Sequence, residues 1–442
     1  MIFGRKKKDY EDDDDWDDED EVVESVLFQG ALNGRDANLE ANPGLVRAGL
    51  VPAKDLLTDA MNRRAEKVVI EPKGPRSLAR FFIDGVPYPG SRLPGKQGLA
   101  ITQMVKLLAG LDINQRRKPQ AGGIRAELSE TPYELLVEST PIAEGVERLT
   151  IRINNLKEKL ETPEDVGFSD AMRARIRELT GNHHGAFLVC GPPHSGTTTT
   201  KMAVFRCVDA YMHSLFNISD LGGRELIHVT NFEIDLEDPF EETIQKLVRK
   251  ECDVLLMDPI RTAEVAKNVF EAQKKMAVVT EFTARDAAHG IAQLCQWVGD
   301  PKIVAEGLTA IISQKLVRKL CADCKQAYRP NPKLLQRVGL PPETRTLYRP
   351  PVPPAPSEED DEEEWLPCRK CDGIGYLGRI GLFEMIEMTD SLKQLVAGGA
   401  SVAEIKAFAR QEHMQTLQKE GLRIAAQGIT SLEELQRAFK AG

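Results

Sequence analysis

Residues 191–200, GPPHSGTTTT, have the residue types and spacing of a loop that wraps phosphate groups. In loops of the form GxxxxGK[ST], backbone N–H groups surround the phosphates, a lysine neutralises their charge and a hydroxyl binds magnesium. Thr197 stands where that lysine is expected, so the segment predicts a nucleotide site that lacks its main cation. The residues predicted to contact a nucleotide are Gly191, Ser195, Gly196, Thr197, Thr198 and Thr199.

Four further residues that could do chemistry are cysteines arranged as two CxxC pairs. Each pair can form a tight turn that presents two thiolates, and two such turns supply the four ligands of a tetrahedral zinc ion. A redox-active pair and coincidence are the alternatives, but a redox motif needs only one pair. The predicted zinc ligands are Cys321, Cys324, Cys368 and Cys371. The other cysteines are interpreted as reduced thiols without a special role: Cys190, Cys207, Cys252 and Cys295.

The charge of the chain is concentrated in two acidic runs. Of the 68 acidic residues, eleven lie in residues 9–21 and seven in residues 358–364. Without these runs and the four basic residues at positions 5–8, 54 basic and 50 acidic residues remain. A nearly neutral body without a basic stripe argues against a nucleic-acid partner. The sequence also has no apolar run long enough for a membrane span or a signal peptide, so we expect a cytoplasmic protein.

The first third of the chain is expected to contain a tail and a small domain. Residues 1–50 are predicted to be a disordered acidic tail, because acidic and small polar residues bury too little apolar surface to offset ordering entropy. Residues 51–160 alternate short strand patterns with two helical patterns, which predicts an α+β domain. Its exposed polar candidates are Arg80, Arg116, Arg117 and Arg152.

The glycine loop lies in a segment with the pattern of a parallel α/β sheet. Within residues 161–320, the apolar run AFLVC leads into the loop and a helix, and later apolar runs alternate with helical stretches. Residues 321–378 form the predicted cysteine element, interrupted at residues 345–366 by a proline-rich and acidic insert expected to be disordered. Residues 379–442 are predicted to be helical, with capping-box spacing at Ser401 and Glu404 and at Ser431 and Glu434.

From about residue 56 to its end, the chain resembles the ATPases of type II secretion and type IV pilus assembly, GspE, PulE and PilB. The segments that carry the resemblance are GLDINQRRKPQ, FLVCGPPHSGTTTT, QKLVRKLCADC, CRKCDGIGYLGRIGLFEMIEM and MQTLQKEGLRIAAQGITSLEEL. The resemblance implies a RecA-like P-loop NTPase core, preceded by a PAS-like domain and followed by a four-cysteine zinc element and a helical region. It also implies a hexameric ring, peripherally associated with the inner membrane through the platform of the machine.

In that family the loop lysine, an acidic box, a Walker B glutamate and a histidine box carry the chemistry. The corresponding positions in this sequence are Thr197, Ser219, Pro259 and Thr283. Each of these residues lacks the charge or the proton-transfer group of the family residue, which predicts that ATP hydrolysis is severely impaired.

The acidic box has two candidate locations. Glu237, Asp238 and Pro239 match its EDP signature literally, but they lie about forty residues beyond Thr197, roughly twice the distance found in the family. The segment FNISDLGGREL lies at the expected distance and runs on to the Walker B strand without gaps of note. We therefore prefer the second location, where Asp220 remains and the glutamate position is Ser219.

Two residues are candidates to compensate for the losses. Asp258 adjoins Pro259, and Lys201 lies one helical turn beyond Thr197. Three histidines near the loop are interpreted as surface or turn residues rather than as metal ligands; they are His183, His184 and His194.

Three functions therefore remain open. The first is a pseudo-ATPase with a structural or regulatory role, in a ring that is homomeric or mixed with an active relative. The second is an active motor subunit with atypical motifs. The third is a sensor that binds ATP and Mg²⁺, weakly, without hydrolysis.

Overall fold

The computed structural model describes residues 24–157, 162–221, 226–235, 237–352 and 366–440. Residues 1–23 of the predicted tail and residues 353–365 of the predicted insert lie outside this part of the chain. The chain divides into two compact units between residues 158 and 159. None of the helices in the described ranges is long and apolar enough to cross a membrane.

The first unit is an antiparallel sheet of seven strands with helices packed against it. The strand order is β1-β5-β6-β7-β2-β3-β4. Its strands are β1 (Leu27–Ala31), β2 (Lys67–Lys73), β3 (Arg76–Ile83), β4 (Val86–Pro94), β5 (Gln120–Leu128), β6 (Thr131–Ala143) and β7 (Val146–Asn155). Its helices are α1 (Pro43–Asn62), α2 (Gly95–Leu108) and a short 3-10 helix at Leu39–Ala41. Alternating burial along β3 matches the period of a strand with one face on the core.

The prediction that the tail is disordered as far as residue 50 is wrong for residues 24–50. Strand β1 pairs with β5, and Val26 is completely buried with its N–H donating to Thr58 Oγ1 at 2.9 Å. Helix α1 begins at Pro43 and continues through Pro52. The partners that order this segment lie far away in the sequence, so its polar composition does not reveal them.

The second unit is built on a sheet of seven strands in the order β10-β9-β11-β12-β8-β13-β16. All neighbours are parallel except β13 and β16. The strands are β8 (Gly185–Gly191), β9 (Leu215–Asn217), β10 (Thr230–Asn231), β11 (Val254–Leu256), β12 (Ala277–Thr283), β13 (Leu308–Leu320) and β16 (Tyr376–Glu387). The helices up to β13 are α3 (Asp170–Thr180), α4 (Thr197–Arg206), α5 (Phe240–Arg249), α6 (Ala263–Ala272), α7 (Ala287–Val298) and α8 (Pro301–Gly307).

Strand β8 is buried on both faces, which explains its continuous apolar sequence. Leu188 packs into the core that contains helices α5, α6 and α7, and Val189 packs into the core that contains α3 and α4. Helix α4, which follows β8, therefore lies on one face of the sheet, and helices α5, α6 and α7 lie on the other face. The carboxyl end of β8 lies where the strand order reverses, the place where open α/β sheets bind ligands.

Beyond β13, the chain forms small elements around the cysteine pairs and then a group of helices. These elements are β14 (Gln326–Tyr328), α9 (Pro332–Val338), β15 (Leu347–Arg349), α10 (Asp390–Ala397), α11 (Val402–Gln411), α12 (Leu417–Ala426) and α13 (Leu432–Lys440). Two predictions need correction. The predicted disordered insert contains β15, which pairs with β14 and buries Leu347, and residues 379–387 of the predicted helical region belong to β16. Both strands depend on partners distant in sequence.

A buried ion-pair network joins α13 to β13. Glu434 accepts hydrogen bonds from the backbone N–H of Arg318 and from the guanidinium groups of Arg318 and Arg437. The N–H of Glu434 donates to Ser431 Oγ at 3.1 Å, so half of the predicted capping box forms while the carboxylate binds arginines. At Ser401 the complete capping box is present.

We predict that Glu434→Ala lowers the free energy of unfolding by about 3–5 kcal/mol, because it leaves the buried Arg318 without its carboxylate. Exposed Glu433→Ala is the matched control, with an expected change within about 0.5 kcal/mol. Burial favours a higher pKa for Glu434, but the hydrogen bonds from Arg437 and Arg318 outweigh it and hold the pKa below its ordinary value of 4.5.

The depressed pKa fixes the sign of the pH dependence. The stabilising contribution of Glu434 is present above the ordinary pKa of 4.5 and is lost as the pH falls through the lower pKa of the folded state. Urea unfolding at neutral and acidic pH measures the loss of stability and its pH dependence. Equal stability of Glu434→Ala and Glu433→Ala would contradict both predictions.

Candidate functional site

The loop after β8 keeps the backbone shape of a phosphate cradle. Gly196 has a left-handed conformation with φ of 84°, and α4 begins directly after it with no side chain capping its first turn. A Cβ atom at Gly191 would lie 2.3 Å from Ser195 Oγ and 2.9 Å from the carbonyl oxygen of Gln314, so only glycine fits there. The N–H groups at the start of α4 remain available for an anion.

Ser195 is held inside this loop. Its carbonyl oxygen accepts a hydrogen bond from Gln314 Nε2 at 2.5 Å, while its buried hydroxyl has no hydrogen-bond partner within the described ranges. The buried, unsatisfied hydroxyl and the glycine cradle both fit a bound phosphate group. Backbone donors could hold that phosphate, and the hydroxyl of Thr198 could contact its magnesium ion.

The cation that such a loop needs is not supplied by Thr197, the first residue of α4. The nearby cation, Lys201, is 1% exposed and lies among groups of the protein interior. Its Nζ donates to Ser219 Oγ at 3.2 Å and to the carbonyl oxygen of Met257 at 3.4 Å, and lies 3.6 Å from Glu281 Oε1. The structure therefore directs Lys201 into a buried ion pair with Glu281 on β12.

The predicted acidic-box and Walker B positions meet at the carboxyl ends of β9 and β11. Ser219 is buried and hydrogen-bonded to Asn217 and Lys201, so it presents no acid. The N–H of Asp220 donates to Asp258 Oδ1 at 3.0 Å, which places these two residues side by side. Pro259 follows Asp258 and offers no side-chain acceptor.

The literal EDP sequence lies elsewhere, at the start of α5. Asp238 forms an ion pair with Lys246, and Pro239 precedes the first residue of the helix. Leu236 lies outside the described residues. Asp238 and Pro239 therefore belong to the start of helix α5, whereas Asp220 lies beside Asp258 in the Walker B segment.

The predicted histidine-box position, Thr283, ends β12 next to the loop. Thr283 is exposed, and the N–H of Ala284 donates to the carbonyl oxygen of Gly191 at 3.1 Å. A histidine does lie one turn into the next helix. His289 Nδ1 is 2.8 Å from Asp286 Oδ1, and Lys406 of α11 donates to Asp286 Oδ2 at 2.7 Å.

The sequence analysis missed Glu281 and His289. The spacing of Asp286 and His289, three residues apart at a helix start, was a usable signal for the second. Burial favours a higher pKa for Asp286, but hydrogen bonds from Lys406 and His289 outweigh it and lower the pKa. Burial raises the pKa of nearby Glu384.

The four predicted zinc ligands come together in the structure. One ligand atom from each of Cys321, Cys324, Cys368 and Cys371 lies within 4.8 Å of the others. The sulphurs of Cys324 and Cys371 are 3.6 Å apart, close to the roughly 3.8 Å separation expected for two thiolates on a tetrahedral zinc with bonds of about 2.3 Å. The arrangement fits one such ion.

Strand pairing explains this convergence. Leu320 at the end of β13 pairs with Tyr376 at the start of β16, so the two CxxC turns lie side by side. Gly375 N–H donates to Cys371 Sγ at 3.2 Å, a contact that orients the ligand. Backbone N–H groups of Cys371 and Lys370 lower the pKa of Cys368 to about 7, whereas burial raises the pKa of Cys324 and of Cys371. A cation among the sulphurs would favour all four thiolates.

The other cysteines are poor nucleophiles. Burial raises the pKa of Cys207 and Cys252 to about 12 and that of Cys295 to about 11, and it also raises the pKa of Cys190. A thiol with a raised pKa is protonated at neutral pH and reacts slowly.

The arginines predicted as exposed candidates are placed in the first unit. Arg80 pairs with Glu71, Arg117 with Glu144, and Arg152 with Glu138. Arg116 and Arg117 line one shallow cleft.

Comparison with known proteins identifies a family and a fold. A family profile described as "Type II/IV secretion system protein" matches residues 48–437. The type IV pilus assembly ATPase PilB of Myxococcus xanthus is 30% identical over 390 residues, which cover 86% of this chain and 66% of that protein. PilB of Thermus thermophilus is 28% identical, with 86% of this chain and 42% of that protein covered. The chain thus spans less than two thirds of each PilB.

Type II secretion system protein E of Pectobacterium carotovorum is 28% identical, with 87% of this chain and 74% of that protein covered. Among solved structures, the Legionella pneumophila ATPase DotB has a TM-score of 0.55 at 15% identity, covering 88% and 95% of the two chains. The pilus retraction motor PilT with bound ADP has a TM-score of 0.50 at 14% identity, covering 87% and 96%. These likenesses establish a mixed α/β ATPase fold.

We predict that breaking the Lys201–Glu281 pair costs about 3–5 kcal/mol of unfolding free energy in either single variant, Lys201→Met or Glu281→Leu, because each leaves a buried charge. The double variant should recover most of the loss, since neither charge remains. Urea unfolding followed by circular dichroism measures the cycle. The exposed pair Glu271 and Lys274 is the control, and neutralising it should cost less than about 1 kcal/mol. Additive losses in the buried pair would refute the coupling.

We predict that the full chain purifies with one tightly held, thiolate-bound zinc ion. Cys371→Ser should lose it and make the segment around β14 and β15 sensitive to protease, because binding of a structural zinc is worth on the order of 10 kcal/mol. Cys295→Ser, outside the cluster, is the control. Cobalt substitution reports thiolate ligation by absorbance, and a Cys371→Ser protein with unchanged metal and protease resistance would contradict the assignment.

Proposed function

Because the chain belongs to the type II/IV secretion system protein family, we propose that it is a ring subunit of a type II secretion or type IV pilus machine whose own ATP hydrolysis is lost or severely impaired. The observation that carries the proposal is the position of Lys201. Lys201, four residues beyond Thr197, is buried between Ser219 and Glu281, and α4 begins with Thr197 directly after the loop.

The electrostatic requirement of phosphoryl transfer supports this proposal. Hydrolysis depends on cations and acceptors arranged around the γ-phosphate and the attacking water. Removal of one such contact costs on the order of 10²–10³ in rate. Ser219 is engaged internally, Pro259 has no acceptor and Thr283 carries no ionisable group, so several such contacts are missing together.

The retained features suit a structural or regulatory subunit. The proposed architecture is a RecA-like core after a PAS-like domain, in a hexameric ring that is homomeric or mixed with an active ATPase of the family. The four-cysteine cluster would hold a structural zinc ion. The protein would be cytoplasmic and would dock on the inner-membrane platform of the machine, without a nucleic-acid partner. The DotB-like and PilT-like fold and the complete cysteine cluster support this part of the proposal.

One observation favours the rival function, an active ATPase with atypical motifs. Asp220 and Asp258 lie side by side at the carboxyl edge of the sheet, where a magnesium ion and a water molecule would be positioned. On this alternative, Asp258 would replace the glutamate missing at Pro259.

Steady-state hydrolysis by the full chain with magnesium and ATP separates the two. We predict that the natural protein hydrolyses ATP no faster than the Thr198→Ala control. The Asp258→Asn substitution should likewise leave the rate unchanged. Thr197→Lys alone should add little, because the residues at Ser219, Pro259 and Thr283 still lack their groups. If instead the natural protein hydrolyses ATP and both Thr198→Ala and Asp258→Asn abolish this activity, the protein is an active enzyme.

The sensor alternative is tested on the same preparation. Calorimetric titration with a slowly hydrolysed ATP analogue should show weak binding that Gly196→Val abolishes, since a side chain at Gly196 opposes its left-handed backbone. Binding without turnover would support a nucleotide-holding subunit. No heat at millimolar analogue would restrict the role to structure alone.

A further inference from the structure

Three metal-ligating side chains meet at the edge of the second sheet opposite the phosphate loop. His183 precedes β8, His213 precedes β9 and Asp253 precedes β11. One ligand atom from each lies within 4.8 Å of the other two. The group is separate from the nucleotide site, because it lies at the amino ends of the strands whose carboxyl ends carry that site.

The carboxylate of this group is fixed in place by backbone contacts. Asp253 Oδ2 accepts a hydrogen bond from the N–H of Ser214 at 2.8 Å, and the backbone N–H of Asp253 donates to the Ser214 carbonyl at 3.0 Å. The carbonyl of Asp253 in turn accepts from Ala277 N–H at 2.9 Å. Asp253 Oδ1 therefore points to a position determined by three strands, which is how an oriented metal ligand is held.

The two imidazoles lie on the free side of that carboxylate. His183 Nδ1 is 3.1 Å from Asp253 Oδ1, and the rings of His183 and His213 meet edge to face with centroids 5.6 Å apart. The Nδ1 atom of His213 is shielded from solvent and has no hydrogen-bond partner in the described part of the chain. An unsatisfied ring nitrogen beside a second imidazole and a carboxylate calls for a further partner.

We propose that His183, His213 and Asp253 form a second metal site, which binds one divalent ion of the zinc class. Two imidazole nitrogens and one carboxylate oxygen are typical ligands of zinc with an open fourth position for water. Donor atoms on such an ion lie roughly 3.3 Å apart for bonds of about 2.0 Å. The 3.1 Å between His183 Nδ1 and Asp253 Oδ1 is close to this separation, and a ring nitrogen of His213 lies within 4.8 Å of both ligand atoms.

Binding at this site has a defined structural consequence. The ion would bind His183 through Nδ1, with the imidazole neutral and its proton on Nε2. It would also tie the turn between α3 and β8 to the starts of β9 and β11. These connections now depend on the Ser214 contacts and on the 3.1 Å approach of His183, whose side chain is 66% exposed. The site needs neither a nucleotide nor the machine, so it stands independently of the proposed function.

The test counts bound zinc in the full chain with the cysteine cluster already loaded. Protein dialysed against micromolar zinc is expected to contain two ions per chain by elemental analysis. His183→Ala and Asp253→Asn should each reduce this to one, and Cys371→Ser should remove the other. His184→Ala is the matched control, because His184 is an exposed neighbour outside the group. Asp253→Asn also guards against a folding artefact, since its amide oxygen can still accept from Ser214.

Cobalt distinguishes the two sites by their ligands. The cysteine cluster gives intense thiolate charge-transfer absorption, whereas the proposed site gives only weak visible bands, which His213→Ala should remove without changing the thiolate bands. A single zinc per chain in the natural protein would overturn the proposal, as would two ions retained in both His183→Ala and Asp253→Asn. The three side chains would then form only a hydrogen-bonded surface cluster.

Discussion

The hydrogen-bonded ladder of β13 is the constraint on which most of the second unit depends. Its first half pairs in parallel with β8, and its residues from Ala310 to Leu320 pair with β16 in the antiparallel direction. From this strand Gln314 holds the phosphate loop through Ser195, Arg318 binds Glu434 of the last helix, and Leu320 delivers the first cysteine turn to the second. The nucleotide loop, the cysteine cluster and the C-terminal helices are thus positioned by one strand.

A buried ion pair lies one turn into the helix that follows the phosphate loop. Lys201 and Glu281 neutralise each other inside the sheet, and Lys201 also occupies the hydroxyl of Ser219. A buried pair of this kind is costly to break on one side and contributes little as a pair. Lys201 is thus engaged by groups of the protein interior rather than presented to a phosphate, which is the physical basis of the pseudo-ATPase proposal.

The two candidate metal sites lie at opposite ends of the strands. The four cysteines extend the arm formed by β13 and β16 beyond the last pairing of β13 with β8, Ser313 with Cys190. The cluster of His183, His213 and Asp253 lies at the opposite edge. Both groups join connections between strands, which a bound metal ion would stabilise.

The sequence alone determined the features that rest on local chemistry. The phosphate loop, the CxxC pairs and the apolar runs of β8, β11 and β12 all follow from neighbouring residues. Only the tertiary structure decided the features that join distant residues: strand β1 against β5, strand β15, Lys201 with Glu281, and His183 with Asp253. The physical reason is that periodicity and capping act over a few residues, whereas pairing and buried charge depend on which segments the fold brings together.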